Sequence, residues 1–167
     1  MVPTRVLGID PGIAVMGYGV IDEADGTLTA VDYGCFSTSA RQATPERLRF
    51  LYLELTALIE RHQPSEVAIE LFVARNLKAA LIVGQARGVA ILAAANKGLP
   101  VYDYTPLEVK LNVSGYGRGD KSQIQRMVGI QLGLQSVPEP DDAADALAVA
   151  ICHVGRARLL QLEKSGQ

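Results

Sequence analysis

Only two cysteines and two histidines occur in 167 residues. Cys35 and Cys152 cannot build a disulfide framework, and they read as buried apolar side chains in a reducing compartment. No His/Cys grouping has the spacing of a zinc site. Neither His62 nor His153 sits in a motif that pairs it with a serine or cysteine nucleophile. His62 reads as a surface residue at a helix end. His153 lies eight residues after Asp145, roughly on the same side of one helix, where it either packs or stands behind a reactive group. A secretory signal is missing, as is any stretch expected to be long and apolar enough to cross a bilayer. Repeats and linkers are missing too. These absences predict a cytoplasmic protein without membrane contact, made of one domain over residues 1–167. Its core spans about residues 4–159, with a tail that frays from Glu163.

Strong charge of one sign is also lacking. The net charge is −2 and the pI about 5.7, which argues against a generic basic DNA-binding protein. The distribution is uneven, however. Residues 71–126 carry eight basic groups (Arg75, Lys78, Arg87, Lys97, Lys110, Arg118, Lys121, Arg126) against Asp103, Glu108 and Asp120, a local net of +5. Such a segment either binds a phosphate backbone or is ordinary solvated surface.

Hydrophobic residues make up 49% of the chain, enough for a folded core. Residues 5–10 form an apolar run ending in Asp-Pro-Gly, residues 15–21 a second, and residues 28–36 a third after the hairpin signal Asp25-Gly26. A helix follows, with Thr44 as N-cap and Pro45 in its first position. Its Leu48, Leu51, Tyr52, Leu55, Leu58 and Ile59 fall on one face, and Pro64 stops it. Residues 66–70 predict a short strand. Residues 76–97 predict a helix rich in alanine and glycine, whose small side chains suit close approach by the sheet or a second subunit. A buried strand is expected at 101–104 and helices at 106–113, 120–132 and 141–159. Hairpin strands followed by alternating helices and strands predict an α/β fold, a mixed five-stranded sheet with helices on both faces.

Four acids stand out by position. Asp10 ends the first strand and Glu70 ends residues 67–70, both where a buried strand meets a turn. If those strands are neighbours, the two carboxylates face each other, an arrangement that costs free energy unless a cation lies between them. Asp142 and Asp145 share a face at the start of the last helix. Acids in a first turn also suit the helix dipole, which accounts for Asp141 and Asp142 better than for Asp145. Asp141 competes with Asp142, since an i,i+4 pair shares a face as well. Four carboxylates from separate elements make a hard oxygen site suited to Mg²⁺ or Mn²⁺.

The motifs around these acids occur in a definite order. Leu7-Gly8-Ile9-Asp10-Pro11-Gly12 with Gly17-Tyr18-Gly19-Val20 comes first, then Ala68-Ile69-Glu70, then Gly84-Gln85-Ala86-Arg87-Gly88. Lys121-Ser122-Gln123 and Asp142-Ala143-Ala144-Asp145-Ala146-Leu147-Ala148 follow. Together they resemble the RuvC family of Holliday junction resolvases, over about residues 5–153. The resemblance implies a ribonuclease H-like fold and a homodimer. It implies a metal-dependent endodeoxyribonuclease of recombination and repair that nicks two strands of a four-way junction symmetrically. It makes Asp10, Glu70, Asp142 and Asp145 the catalytic, metal-binding acids, holding two ions of Mg²⁺ or Mn²⁺ per site. Lys110 and Lys121 would contact the DNA backbone, with Arg75, Lys78 and Arg118 as further basic contacts. Phe72 stands near the family's base-stacking aromatic, although the stretch from Glu70 to Asn76 is one residue shorter than the family spacing; the alternative for Phe72 is core packing. A RuvA–RuvB branch-migration complex is the implied partner, and location on the nucleoid follows. Two ions about 4 Å apart would clamp the attacking and leaving oxygens and give 5′-phosphate and 3′-hydroxyl ends. Two other readings are a related nuclease acting on RNA, of the ribosomal RNA maturation type, and an ATP-binding domain of the actin and sugar kinase type.

Overall fold

A computed structural model describes residues 3–73, 75–115, 117 and 119–165. Five strands form one sheet: β1 (Thr4–Asp10), β2 (Val15–Ala24), β3 (Thr27–Ser37), β4 (Glu66–Glu70) and β5 (Val101–Tyr104), in the order β3-β2-β1-β4-β5. β1–β2 and β2–β3 are antiparallel, and β1–β4 and β4–β5 are parallel, so the sheet is mixed as expected. The β2–β3 hairpin turns at Asp25 and Gly26, both at positive φ (49° and 86°), the geometry for which Asp-Gly is selected.

The helices are α1 (Thr44–His62), α2 (Leu77–Asn96), α3 (Pro106–Ser114), α4 (Lys121–Gln131) and α5 (Asp141–Ser165). Alternation along the strands assigns each side chain to one face. Leu7, Ile9, Met16, Val20, Val67 and Ile69 pack under α1 and α2. Val6, Ile21, Ala68 and Tyr104 pack under α3, α4 and the apolar stripe of α5. Helices therefore cover both faces, with α5 lying across all five strands.

Several local expectations are corrected. Thr44 is the first helical residue, not the cap; Ala43 occupies the cap position without a side-chain hydrogen bond. Proline lacks an N–H and fits anywhere in the first turn, so Pro45 does not fix the helix start to one residue. β5 is an edge strand with Tyr102 and Asp103 exposed, not a buried one. Cys35 is only half-buried, on the outer strand β3, whereas Cys152 is buried. α5 continues to Ser165, beyond the predicted end at residue 159. Past the sheet edge it loses its apolar partner but keeps residues of good helix propensity, among them Leu160, Gln161, Leu162, Glu163 and Lys164. α2, with 20 residues, is long and apolar enough to cross a membrane by length and composition alone. In the fold it packs against α1, and its Arg87 binds Asp103 of β5 at 2.7 Å.

Candidate active site

Asp10 and Glu70 lie side by side because β1 and β4 run parallel with Ile9 opposite Ile69. Both strands end one residue later, on the face covered by α5. On the other side Asp10 pairs with Gly17. That glycine sets the height of the helix. A Cβ there would lie 1.9 Å from the backbone oxygen of Asp142. At Gly8 it would lie 2.1 Å from the backbone oxygen of Ala146, and at Gly19 it would meet Leu147 at 2.7 Å. Three glycines in two strands thus let the first turns of α5 rest on bare backbone, bringing Asp142 and Asp145 over Asp10. The cis Glu139–Pro140 bond precedes the helix, and the Pro140 carbonyl accepts from the amides of Ala143 and Ala144.

The turn after Asp10 is fixed from below. The Thr38 hydroxyl donates to the Ile13 carbonyl at 2.5 Å and accepts from Arg47 Nε of α1 at 2.8 Å. The Thr38 amide donates to the Ala14 carbonyl at 2.9 Å. No sequence signal points to Thr38 or Arg47, which stand 25 and 34 positions away from Ile13.

The electrostatics follow from crowding. Burial, reinforced by the charges of Glu70, Asp145 and Asp142, pushes the Asp10 carboxyl up to about 8, and it shares a hydrogen bond with Glu70. Burial and Asp145 raise Glu70 as well, opposed by that hydrogen bond and by Lys110 and Lys121. Burial raises Asp145, against the pull of Lys121. A cavity of about 210 Å³ opens beside the acids, lined by Glu70, Asp145, Lys110, Lys121 and an apolar floor that includes Val109 and Ile124.

Of the residues singled out from sequence, the structure brings together Asp10, Glu70, Asp142, Asp145, Lys110 and Lys121. Asp141 faces away: it pairs with Lys121 and Gln125 of α4 and is not among the charges that raise Asp10. Phe72 is 51% exposed, which removes core packing as its role. Arg75 and Lys78 are likewise exposed, on the segment leading from Glu70 into α2. Arg118 lies outside the described residues. His153 is not near the acids. It is 3% exposed, and its ring nitrogens meet Glu66 at 2.6 Å and Tyr104 at 2.7 Å, pinning α5 to β4 and β5. His62 is no free surface group; it binds Asp32 at 2.8 Å.

All-oxygen donors from three elements suit a hard divalent cation. Among the described residues, no three of His, Cys, Asp or Glu are gathered at ligand spacing.

Comparison with known proteins gives a consistent answer. The family model described as crossover junction endodeoxyribonuclease RuvC matches residues 6–153. Proteins of that name from Desulfitobacterium hafniense are 58% identical over 156 residues, 93% of this chain and 94% of theirs. One from Roseiflexus is 52% identical over 168 residues, covering 100% of both. Among solved structures, Thermus thermophilus RuvC in complex with a Holliday junction substrate superposes with a TM-score of 0.89 at 35% identity, over 93% of this chain and 96% of that one. The yeast mitochondrial Holliday junction resolvase Ydc2, at 15% identity and a TM-score of 0.69, shares the fold.

Proposed function

The chain belongs to the RuvC family of crossover junction endodeoxyribonucleases, and from that membership we propose how this chain resolves a four-way DNA junction. Its ribonuclease H-like fold holds Asp10, Glu70, Asp142 and Asp145 as the catalytic acids. The observation that carries this reading is the Asp10 carboxyl pushed up to about 8 among three other carboxylates. Carboxylates crowded this closely at one sheet end are what a divalent cation relieves. Divalent ions, Mg²⁺ or Mn²⁺ and two per site, would supply activation of water and stabilisation of the leaving 3′ oxygen. Asp10, Glu70, Asp142 and Asp145 would hold those ions between β1, β4 and the start of α5. Lys110 and Lys121 line the cavity beside the acids and hold the flanking phosphates. Arg75 and Lys78 extend that basic rim, and exposed Phe72 is placed to stack on an unpaired base.

A homodimer completes the enzyme. Along α2, Leu77, Leu81, Gly84, Gly88 and Leu92 form one exposed stripe, and a Cβ at Gly84 or Gly88 would meet nothing within 4 Å. An apolar stripe of that length with small residues at its centre supports close helix–helix docking between two copies. Leu81→Glu is expected to yield a folded monomer in analytical ultracentrifugation; an unchanged dimer would remove α2 from the interface. Two sites at fixed separation then select junctions by shape. The same membership implies work on the nucleoid in the cytoplasm, alongside a RuvA–RuvB branch-migration complex.

Substrate choice tests the reading. With Mn²⁺, a synthetic four-way junction should be cut at least about a hundred-fold faster than a linear duplex of the same sequence, and an RNA hairpin not at all. Preferred cutting of the hairpin would instead support the RNA-processing alternative.

A further inference from the structure

Asp141 opens α5 immediately before the acids of the proposed metal site, yet it serves a different partner. Its Oδ1 accepts from Gln125 Nε2 at 3.0 Å, and its Oδ2 lies 3.2 Å from Lys121 Nζ. Lys121 and Gln125 are one helical turn apart on α4, so this carboxylate spans one face of that helix. The same ammonium stands 3.5 Å from Asp145 Oδ2. Lys121 is therefore shared between an acid outside the site and an acid inside it. Both contacts draw on one positive charge, and the geometry decides how that charge is divided.

We propose that Asp141, steadied by Gln125, is a positioning residue that holds the Lys121 ammonium off Asp145 and so leaves Asp145 free for a divalent cation. A lysine beside a buried carboxylate is a built-in competitor for any metal that carboxylate binds, because ammonium and cation neutralise the same charge. With Asp141 present, Lys121 has a second carboxylate to satisfy it. With Asp141 removed, Asp145 is the remaining carboxylate in ion-pair contact with Lys121, and the ammonium closes on it. The pair is exposed, so its effect should be of the size of a surface ion pair, a few-fold rather than orders of magnitude. The inference rests on Asp145 being a metal ligand. It predicts opposite signs for two substitutions on either side of one contact.

The test uses the full-length protein without DNA and reads Mn²⁺ binding directly, from the electron paramagnetic resonance signal of free Mn²⁺. Asp141→Asn should weaken Mn²⁺ binding about three-fold, and Lys121→Met should strengthen it by a similar factor. The decisive comparison is the double variant: with Lys121 already replaced, Asp141→Asn should have no further effect. Equal weakening in both backgrounds would make Asp141 itself a ligand or a general electrostatic contributor and overturn the proposal. So would Mn²⁺ binding unaffected by Asp141→Asn. Asp145→Asn is run in parallel: if Mn²⁺ binds the wild type and that variant equally, the metal-site reading fails, and the failure is distinguishable from failure of the Asp141 proposal alone. Thermal melts of the Asp141→Asn and Lys121→Met variants, unchanged for side chains this exposed, keep a folding defect from imitating either result.

Discussion

Asp10→Asn is expected to lower junction cutting at least about a thousand-fold, a loss of roughly 4 kcal/mol of transition-state stabilisation, while leaving junction binding within about three-fold. The amide keeps the shape of the side chain but loses the charge that two cations would share. Binding should survive because, on the proposed reading, phosphate contacts would fall to Lys110, Lys121 and the basic segment after Glu70, and removing a negative charge would not weaken them. The same substitution should leave a mark on stability. The Asp10 carboxyl sits at about 8 in the fold against an ordinary 3.8, so the native state prefers it protonated. That preference contributes stability fully present below about pH 4 and lost as the pH rises toward 8. The metal-free wild type should therefore melt at progressively lower temperature between pH 5 and pH 8, and Asp10→Asn should largely remove that slope. Added Mn²⁺ should raise the wild-type melting temperature at pH 8 and leave the variant unmoved. Parallel melting profiles for the two proteins would contradict the crowding of acids described above.

Gly17→Ala should also be damaging, although it changes no ionisable group. Its new methyl would lie 1.9 Å from the Asp142 carbonyl oxygen, and backbone on both sides leaves no flexible side chain to yield. The first turn of α5 has to rise by more than an ångström, carrying Asp142 and Asp145 away from Asp10. Overpacking of this kind costs about 1–3 kcal/mol of stability, and a displacement of about 1 Å at reacting groups costs on the order of a hundred-fold in rate. Cutting should thus fall about a hundred-fold at a temperature where circular dichroism shows the variant folded. Junction affinity should be close to that of the wild type. Full activity in a folded Gly17→Ala protein would mean that α5 does not owe its height to that glycine.

Asp10, Glu70 and Asp145 were legible in the sequence because each lies where a pattern changes. Asp10 and Glu70 end apolar runs, and Asp145 interrupts one at helical spacing. Their convergence was not legible from the residues themselves: it depends on β1 and β4 being parallel neighbours and on the glycines beneath α5. Gly8, Gly17 and Gly19 stood in the sequence as parts of motifs, and they gained meaning when Ala146, Asp142 and Leu147 were seen above them. The choice between Asp141 and Asp142 could not be made from spacing, since both share a face with Asp145. What separates them in the fold is that Asp141 is engaged by Lys121 and Gln125 of α4, a helix that begins twenty residues upstream. Thr38, which secures the turn after Asp10, carries no local signal because its partners come from a loop and from α1. The edge position of β5 and the length of α5 were misread for a common reason. Apolar patterning reports burial, and both elements form without being buried throughout.

Mapping the cut sites of the wild-type protein on a synthetic four-way junction, with each of the four strands end-labelled in turn, is the most direct test of one metal-dependent carboxylate site acting twice. The account predicts nicks at matching positions on two opposed strands of like polarity, with ends that ligase seals. It also predicts no nicks when the metal is chelated or when Glu70 or Asp145 is replaced by its amide. Nicks scattered over all four strands, or cutting that persists in Asp145→Asn, would contradict it.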